Sequence, residues 1–509
     1  MAAHSPVGSS EVRRPPALEA AAPKTLFGFV HGYWMLCGME MWERMAYFCV
    51  RSVVAVYILQ ADDPGGLHFT AAQKGTIFAW WFVFQSVLPM FTGGYADRYG
   101  YKKTIAFAVT MNILGYLMMA YLRTFAGFFG GVLVLASGTA FFKPGLQGSL
   151  AQNLSKSNSS VGWGIFYWIV NVGSAVAHPL AGFLLKIDWK WVFISSAVFT
   201  ALNYLMLFTF KDFASGANKT ENPLQVFART MTNIFEPRLI SWLLIMSGFW
   251  LMMYQLWDLH PNFITDWVDS SGVASALSLP AFMTKMTDRG LQVMQQNMLF
   301  LNSLLIVALM IPVSWAVRRL RTLSAMVIGM SVATCGILLA GLTGSGWVFL
   351  GGVVFFSLGE MLTGPKKSEY LGLIAPAGKK GLYLGYVNIP VGLGGFVGSK
   401  MAGYLYGHFG EKAVLAQKYL LEHTPLGQGK VWNGDPEALT NLLGVPRTEA
   451  MAKLQETIGQ DATRTTELLW NTYSPHLYVW LPFAAVGVVS VVALLIFNRM
   501  ATRWSDMNA

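Results

Sequence analysis

The 509-residue chain carries 12% charged residues, about half the share typical of a soluble globular protein, against 54% hydrophobic residues and a mean hydropathy of +0.46. This leaves too little polar surface to coat a water-exposed core, which excludes a disordered chain and a soluble multidomain enzyme. The net charge of +10 does not by itself indicate a nucleic-acid partner, because basic residues also collect at the ends of membrane spans.

Twelve segments are long and apolar enough to cross a bilayer, which takes about 20 residues for a helix. Their apolar residues run continuously instead of alternating, and this pattern excludes a membrane β-barrel. The predicted fold class is an all-α polytopic membrane protein. The predicted spans are 27–59, 71–95, 104–123, 126–153, 161–186, 190–210, 239–267, 290–318, 323–343, 347–375, 381–409 and 476–498.

Basic residues indicate how these spans are oriented. With both termini in the cytoplasm, the cytoplasmic loops and tails hold eighteen Lys and Arg residues, and the short outer loops hold six. Positive residues are retained on the cytoplasmic side of membranes. The imbalance therefore predicts a multi-pass protein of the plasma or inner membrane with both termini cytoplasmic, and it explains the net charge without an acidic partner.

The spacing of the spans predicts two six-helix halves, 27–210 and 239–498, joined by a polar cytoplasmic linker at 211–238. Cytoplasmic tails are expected at 1–26 and 499–509.

A second long connection, 410–475, is expected outside the membrane between the last two spans. Within it, Asp435-Pro436-Glu437 is typical of a helix start and Gly444 of a helix end. A second short helix is predicted from Pro446 to Ile458. This insert is interpreted as a small helical cap, the alternative being a module that docks a partner.

An internal repeat relates the two halves. A shift of 221 residues carries Gly138 onto Gly359 and Gly173 onto Gly394. Two six-helix halves related along the membrane normal are the architecture of the major facilitator transporters, in which the substrate site lies between the halves. The sequence at 94–103, GYADRYGYKK, resembles the signature between the second and third facilitator helices. The resemblance implies that Asp97 and Arg98 help to close the cytoplasmic face.

Charged side chains inside a bilayer cost several kcal/mol, so each one suggests a function. On the first span, Glu40, Glu43, Arg44, Tyr47 and Arg51 are spaced 0, 3, 4, 7 and 11, which places them on one helical face.

Two further spans contribute one charge each, Lys143 on the fourth and Glu360 on the tenth. We expect both of them at the level of Glu43 and Arg44 in a central cavity. A cationic and an anionic pole on opposite halves would suit a zwitterionic substrate.

These residues also carry a resemblance to a known family. The pattern Glu40-x-x-Glu43-Arg44-x-x-Tyr47 resembles the E-x-x-E-R-F-x-Y-Y signature of the proton-coupled oligopeptide transporters. The segments 141–145, 166–173, 301–302 and 359–365 are similar to motifs of their fourth, fifth, eighth and tenth helices.

The resemblance implies import of di- and tripeptides driven by a proton gradient. Arg44 and Lys143 would hold the peptide carboxylate, and Glu360 would hold the amino group. Glu40 and Glu43 would pair with Lys143 and take part in proton coupling together with Arg44.

The same resemblance implies that Tyr47 contacts the peptide backbone, that Asn171 and Asn302 belong to the substrate site, and that Arg51 forms an outer gate. The family usually has an acid where this chain has Tyr254. Asp258, one turn further out, is the candidate partner of Arg51, the alternative being a capping or solvated role.

The tenth span departs from the family at Lys366, Lys367 and Glu369. Lys366 and Glu369 are expected to pair at i, i+3 on the inner face, with Lys367 reaching toward the interface. The alternative is a pocket altered for an acidic or larger peptide-like substrate.

No nucleophile motif, metal-ligand cluster or phosphate loop indicates an enzyme, and no cofactor or metal is expected. The expected partners are a small peptide or peptide-like substrate, protons and the lipid bilayer, without nucleic acid, and the chain is expected to act as a monomer. The alternatives are a proton-coupled carrier of another anionic or amphoteric solute, efflux by proton antiport, and a nontransporting sensor on the same fold.

Overall fold

The computed structural model describes most of the chain. The described residues are 25–155, 158–210, 234–317, 319–375, 383 and 385–501, without the side chains at 93, 94, 97 and 160. The predicted N-terminal tail, the linker and the C-terminal tail lie almost wholly outside these residues.

The first part of the chain folds into helices that match the first six predicted spans. A two-stranded hairpin, β1 (Thr25–Leu26) and β2 (Phe29–Val30), precedes them. The helices are α1 His31–Arg51, α2 Val54–Leu59, α3 Ala71–Val87, α4 Pro89–Tyr99, α5 Tyr101–Tyr121, α6 Phe125–Gln152, α7 Ser159–Leu185 and α8 Trp189–Leu207.

The second part continues with another set of helices and one more hairpin, formed by β3 (Thr284–Thr287) and β4 (Gly290–Val293). Single 3₁₀ turns lie at Ala281–Met283, Tyr386–Asn388, Pro425–Gly427 and Arg447–Glu449. The helices are α9 Pro237–Met253, α10 Gln255–Asp258, α11 His260–Trp267, α12 Ser271–Ala276, α13 Gln295–Ala316, α14 Thr322–Gly341, α15 Gly346–Ile374, α16 Ile389–Phe409, α17 Lys412–His423, α18 Ala438–Leu443, α19 Ala450–Ile458, α20 Ala462–Tyr473 and α21 Pro475–Ala501.

In the part of the chain that is described, ten helical stretches are long and apolar enough to cross a membrane. The two remaining predicted spans also form helices, α1 with α2 and α16, and α1 carries four charged residues. The all-α polytopic fold is thus confirmed.

The boundaries of several predicted spans are wrong, as three of them illustrate. The first helix begins at His31, because the residues before it form a hairpin. The seventh span is divided into α9, α10 and α11. The eighth begins at Gln295 rather than 290, because β4 pairs with β3 there.

The packing of the glycines repeats between the halves. A methyl group at Gly138 would meet Asn112 and Ala108 O of α5, and one at Gly359 would meet Ala333 and Gly329 O of α14. Adding the predicted shift of 221 to 138, 108 and 112 gives 359, 329 and 333. The register read from the sequence is therefore reproduced in the helix contacts.

The insert at 410–475 holds four helices, two of which the sequence predicts. Gly444, at φ 72°, ends α18, and α19 follows the 3₁₀ turn after Pro446, as expected. The flanking helices α17 and α20 are missed. Arg447 joins the insert to the N-terminal half, since it donates to the carbonyls of His68 (2.6 Å) and Phe69 (3.1 Å) while pairing with Glu411.

Candidate functional site

A cluster of three charges lies buried on α1. Arg44 donates from Nε to Glu43 Oε2 at 2.5 Å and from Nη2 to Glu43 Oε1 at 2.6 Å. Its Nε also lies 3.4 Å from Oε1 of Glu40, one turn earlier on the same face. None of the three side chains is more than 6% exposed. Bulk water therefore screens these charges little, and two carboxylates share one guanidinium.

Tyr47 extends this cluster by one further turn. The guanidinium carbon of Arg44 lies 4.8 Å from the centroid of the Tyr47 ring. The Tyr47 hydroxyl donates to Gln85 Oε1 on α3 at 3.1 Å. The helical face predicted from the spacing is therefore present, and a hydrogen bond to Gln85 of α3 positions the Tyr47 ring on it.

Lys143 lies on α6, beside Pro144. The sequence predicts direct ion pairs from Lys143 to Glu40 and Glu43, but Lys143 forms no ion pair among the described residues. That pairing is absent from this conformation because Arg44 takes both carboxylates. The charges of all three α1 groups still act on the Lys143 ammonium.

The opposite half supplies a second polar group around Glu360 of α15. Asn302, from α13, donates through Nδ2 to Glu360 Oε2 at 2.9 Å and lies 3.0 Å from Ser357 Oγ. Asn302 is buried and Glu360 is half-buried. The carboxylate is therefore held in place but has no ion pair with a described residue, which leaves it able to accept a cation.

The hydrogen bond of the Asn171 side chain lies within its own helix, α7. Its Nδ2 donates to the carbonyl of Tyr167, one turn earlier on α7, at 2.9 Å. Tyr167 itself is 48% exposed and lies within electrostatic range of Glu360. The structure thus adds Tyr167, from the N-terminal half, to the surroundings of the C-terminal carboxylate.

The predicted position of the Lys367 side chain is wrong. Instead of reaching toward the membrane interface, its Nζ lies 4.2 Å from the centroid of the Trp250 ring on α9. The charges of Glu360 and Lys143 act on it. The sequence could have indicated this position, because Lys367 follows Glu360 by seven residues, or two helical turns, which places both on one face of α15. The neighbouring pair of Lys366 and Glu369, at 2.8 Å, is confirmed.

Arg51 and Asp258 form a buried ion pair between the two halves. The predicted partnership is therefore confirmed. Arg51 also donates to Trp257 O at 3.3 Å, and Ser399 donates to Asp258 Oδ2 at 2.7 Å. Lys74 is buried in the same network and donates to Asp258 O.

The two faces of the helix bundle differ. At the face where α1 ends, further bonds join the halves, among them Gln60 to Asp266 at 2.7 Å. At the opposite face, Tyr95, Arg98 and Tyr99 near the end of α4 are exposed. The side chain of Asp97 lies outside the described residues. We name these the closed face and the open face.

A family model described as Major Facilitator Superfamily matches residues 43–399. The chain belongs to the Major Facilitator Superfamily. Membership identifies this facilitator as a membrane transporter rather than an enzyme.

Two curated relatives are similar to parts of this facilitator. An uncharacterized transporter of Bacillus subtilis (strain 168), YclF, is 27% identical over 216 residues, 41% of this chain and 43% of the relative. A di-/tripeptide transporter of Lactococcus lactis subsp. lactis (strain IL1403) is 28% identical over 164 residues, 31% of this chain and 33% of the relative. The chain thus matches less than half the length of either relative.

A solved structure is similar over nearly the whole facilitator. The crystal structure of a POT family transporter in complex with a thioalcohol conjugated peptide aligns with a TM-score of 0.65 and 14% identity, covering 94% of this chain and 97% of that one. At this identity the comparison shows the fold alone. The resemblance to oligopeptide transporters is therefore supported by fold and by partial sequence similarity.

Proposed function

We propose that this facilitator is a proton-coupled symporter that imports di- and tripeptides or peptide-like zwitterions by alternating access. The observation that carries the proposal is that each half holds a buried charged group that can bind one end of a zwitterion. Arg44 and Lys143 supply a cationic pole from one half, while Glu360 supplies an anionic pole from the other. Such poles suit the carboxylate and the amino group of one small substrate.

Proton coupling is proposed to follow from the bidentate pair of Glu43 and Arg44. A substrate carboxylate that binds Arg44 competes with Glu43 for the same donors. Glu43 would then be left as a buried unpaired carboxylate, which is costly unless it takes up a proton. Binding of substrate and of proton would thereby support each other without any covalent step.

The two faces support an assignment of this conformation to one state of the proposed cycle. With both termini in the cytoplasm, as we propose, the closed face is extracytoplasmic and the open face cytoplasmic. The ion pair of Arg51 and Asp258 would act as the outer gate, and the end of α4 with Asp97 and Arg98 would form part of the inner gate. The structure then corresponds to an inward-facing state of a single chain in the cell membrane.

Uptake into proteoliposomes with an inward proton gradient tests the proposal. The panel contains Ala-Ala, a tripeptide, an acidic dipeptide, nitrate and free amino acids. We expect gradient-dependent uptake of peptides. Glu43→Gln is expected to abolish gradient-driven uptake while keeping peptide exchange, and Glu360→Gln to raise the half-saturating peptide concentration. Glu369→Gln on the same helix, which removes a partly exposed pair, is the matched control. Folded protein that takes up no peptide would overturn the proposal.

A further inference from the structure

The ammonium of Lys367 lies inside the bundle without an ion-pair partner among the described residues. Its Nζ rests over the Trp250 ring at 4.2 Å and forms no ion pair or hydrogen bond with a described residue. The adjacent Lys366, by contrast, reaches Glu369 at 2.8 Å. The indole Nε1 of Trp250 is buried and also lacks an acceptor in the described part of the chain. Two donors thus lie together with no acceptor.

The packing of two equivalent glycines shows which residue of the first half corresponds to Trp250. A methyl group at Gly173 would meet Met41 O, Arg44 Cβ and Met45 N of α1. One at Gly394 would meet Ser247 O, Trp250 C and Leu251 N of α9. Each α9 residue follows its α1 counterpart by 206 positions, so Trp250 in the second half is at the position equivalent to Arg44 in the first half. Lys367 therefore places a cation beside the position equivalent to that of the arginine.

The charge balance of the buried charged groups around Lys367 indicates what this residue recognises. Three carboxylates face three cations, and uptake of one proton by a carboxylate leaves an excess of one positive charge. A zwitterionic peptide adds no net charge, whereas a peptide with one acidic side chain adds −1. Since an uncompensated charge in a desolvated site is costly, the acidic peptide balances the charge of the protonated group of residues. The six groups are Glu40, Glu43, Arg44, Lys143, Glu360 and Lys367.

The spacing along α15 fits such a ligand. Seven residues separate Glu360 from Lys367, about 10 Å along a helix axis. Two extended residues span about 7 Å, and a carboxylate side chain adds to that reach. An amino group at Glu360 and an acidic side chain on the second residue could therefore meet the two groups at once.

We propose that Lys367, on the face of Trp250, forms a subsite for an acidic side chain, so that the preferred substrates are dipeptides with Glu or Asp at the second position. This inference rests on the proposed peptide transport. It assigns a specificity-determining role to a residue that lies outside the motifs shared with oligopeptide transporters.

Competition against labelled Ala-Ala uptake tests the subsite. The competitors are Ala-Glu and its neutral isostere Ala-Gln, and the readout is the ratio of their half-inhibitory concentrations within each variant. For the unmodified chain we expect Ala-Glu to compete about tenfold better, the size of one charge-assisted hydrogen bond. Lys367→Gln and Lys367→Met are expected to bring the ratio near one, and Lys367→Arg to keep most of it. Lys366→Gln, which lacks the Trp250 contact, is the matched control and should keep the full ratio.

The outcomes separate the two proposals. Ala-Ala uptake with equal competition by Ala-Glu and Ala-Gln overturns the acidic subsite and leaves peptide transport standing. A preference that persists in both Lys367→Gln and Lys367→Met overturns the assignment to this residue. Absence of all peptide uptake by folded protein overturns the proposed function itself. Where a variant does not transport, direct binding of Ala-Glu and Ala-Gln to the purified protein gives the same ratio.

Discussion

Removal of the Asp258 carboxylate is expected to open the closed face. The Arg51 and Asp258 side chains are 6% and 1% exposed, and they join the two halves. Asp258→Asn keeps the shape of the side chain but leaves the Arg51 guanidinium buried without its counterion. In an open conformer both groups would reach water, so removal of the ion pair raises the free energy of the closed conformer alone.

The magnitude follows from the burial. Breaking a buried ion pair by removing one partner costs about 3–5 kcal/mol. That corresponds to a fall in the closed-to-open ratio of roughly 100-fold to several thousandfold. Inverting a 99:1 population takes about 5.5 kcal/mol, so a chain that is almost wholly closed would become a mixture of both conformers.

Spin labels on the outer ends of the two halves measure this shift. Ala72 on α3 and Tyr404 on α16 are both exposed, and in a cysteine-free background their distance distribution reports opening. Lys400→Met is the matched control, because Lys400 donates to Thr76 at 2.7 Å between the same two helices but at an exposed position, where about 0–1 kcal/mol is expected. The reasoning is refuted if Asp258→Asn shifts the distribution no more than Lys400→Met does.

Two further predictions concern the closed face and the insert above it. In Gly75→Val the new Cβ would lie 2.6 Å from Ser399 O, so we expect loss of the closed distance population and of uptake, whereas Gly351→Ala, with no neighbour nearer than 3.8 Å, should retain both. For Glu411, burial raises the pKa to about 7 from its usual 4.5, so the docked insert binds this proton more tightly than an undocked one. Docking should therefore strengthen as pH falls from about 7 to about 4.5, by up to about 3 kcal/mol. Hydrogen exchange at 447–458, corrected for intrinsic rates, should show more protection at pH 5 than at pH 7.5, and Glu411→Gln should abolish the difference.

Much of the fold could be predicted because lipid exposure imposes strong rules on a sequence. Continuous apolar length located the spans, and the 221-residue shift located the packing of Gly138 and Gly359. The hairpin at 284–293 was missed because its strands are only four residues long and join an apolar span directly. Helix α17 was missed because Lys412 and Gln417 are buried by tertiary packing that the sequence pattern does not reveal.

The candidate site was predictable where neighbours on one helix determine the contacts. The shared face of Glu40, Arg44 and Tyr47 follows from helical spacing, and Arg44 lies 3.4 Å from Glu40 at i, i+4. Contacts between different helices were harder to predict from the sequence. Spacing did not show that Arg44 would leave Lys143 without an ion pair in the part of the chain that is described, or that the Lys367 ammonium would lie over the Trp250 ring. Which group wins a shared partner depends on distances between helices, and these are set by packing.

The two halves therefore repeat their packing but not their chemistry. At equivalent positions, α1 carries Arg44, which is paired with two carboxylates, and α9 carries Trp250. The Trp250 ring is in contact with Lys367, which belongs to α15. Carboxylates that share one cation can release it to a substrate and take a proton, which suits coupling. A cation over an aromatic face has no competing anion to release, which suits recognition. If both proposals hold, proton coupling belongs to the first half and recognition of the acidic side chain to the second.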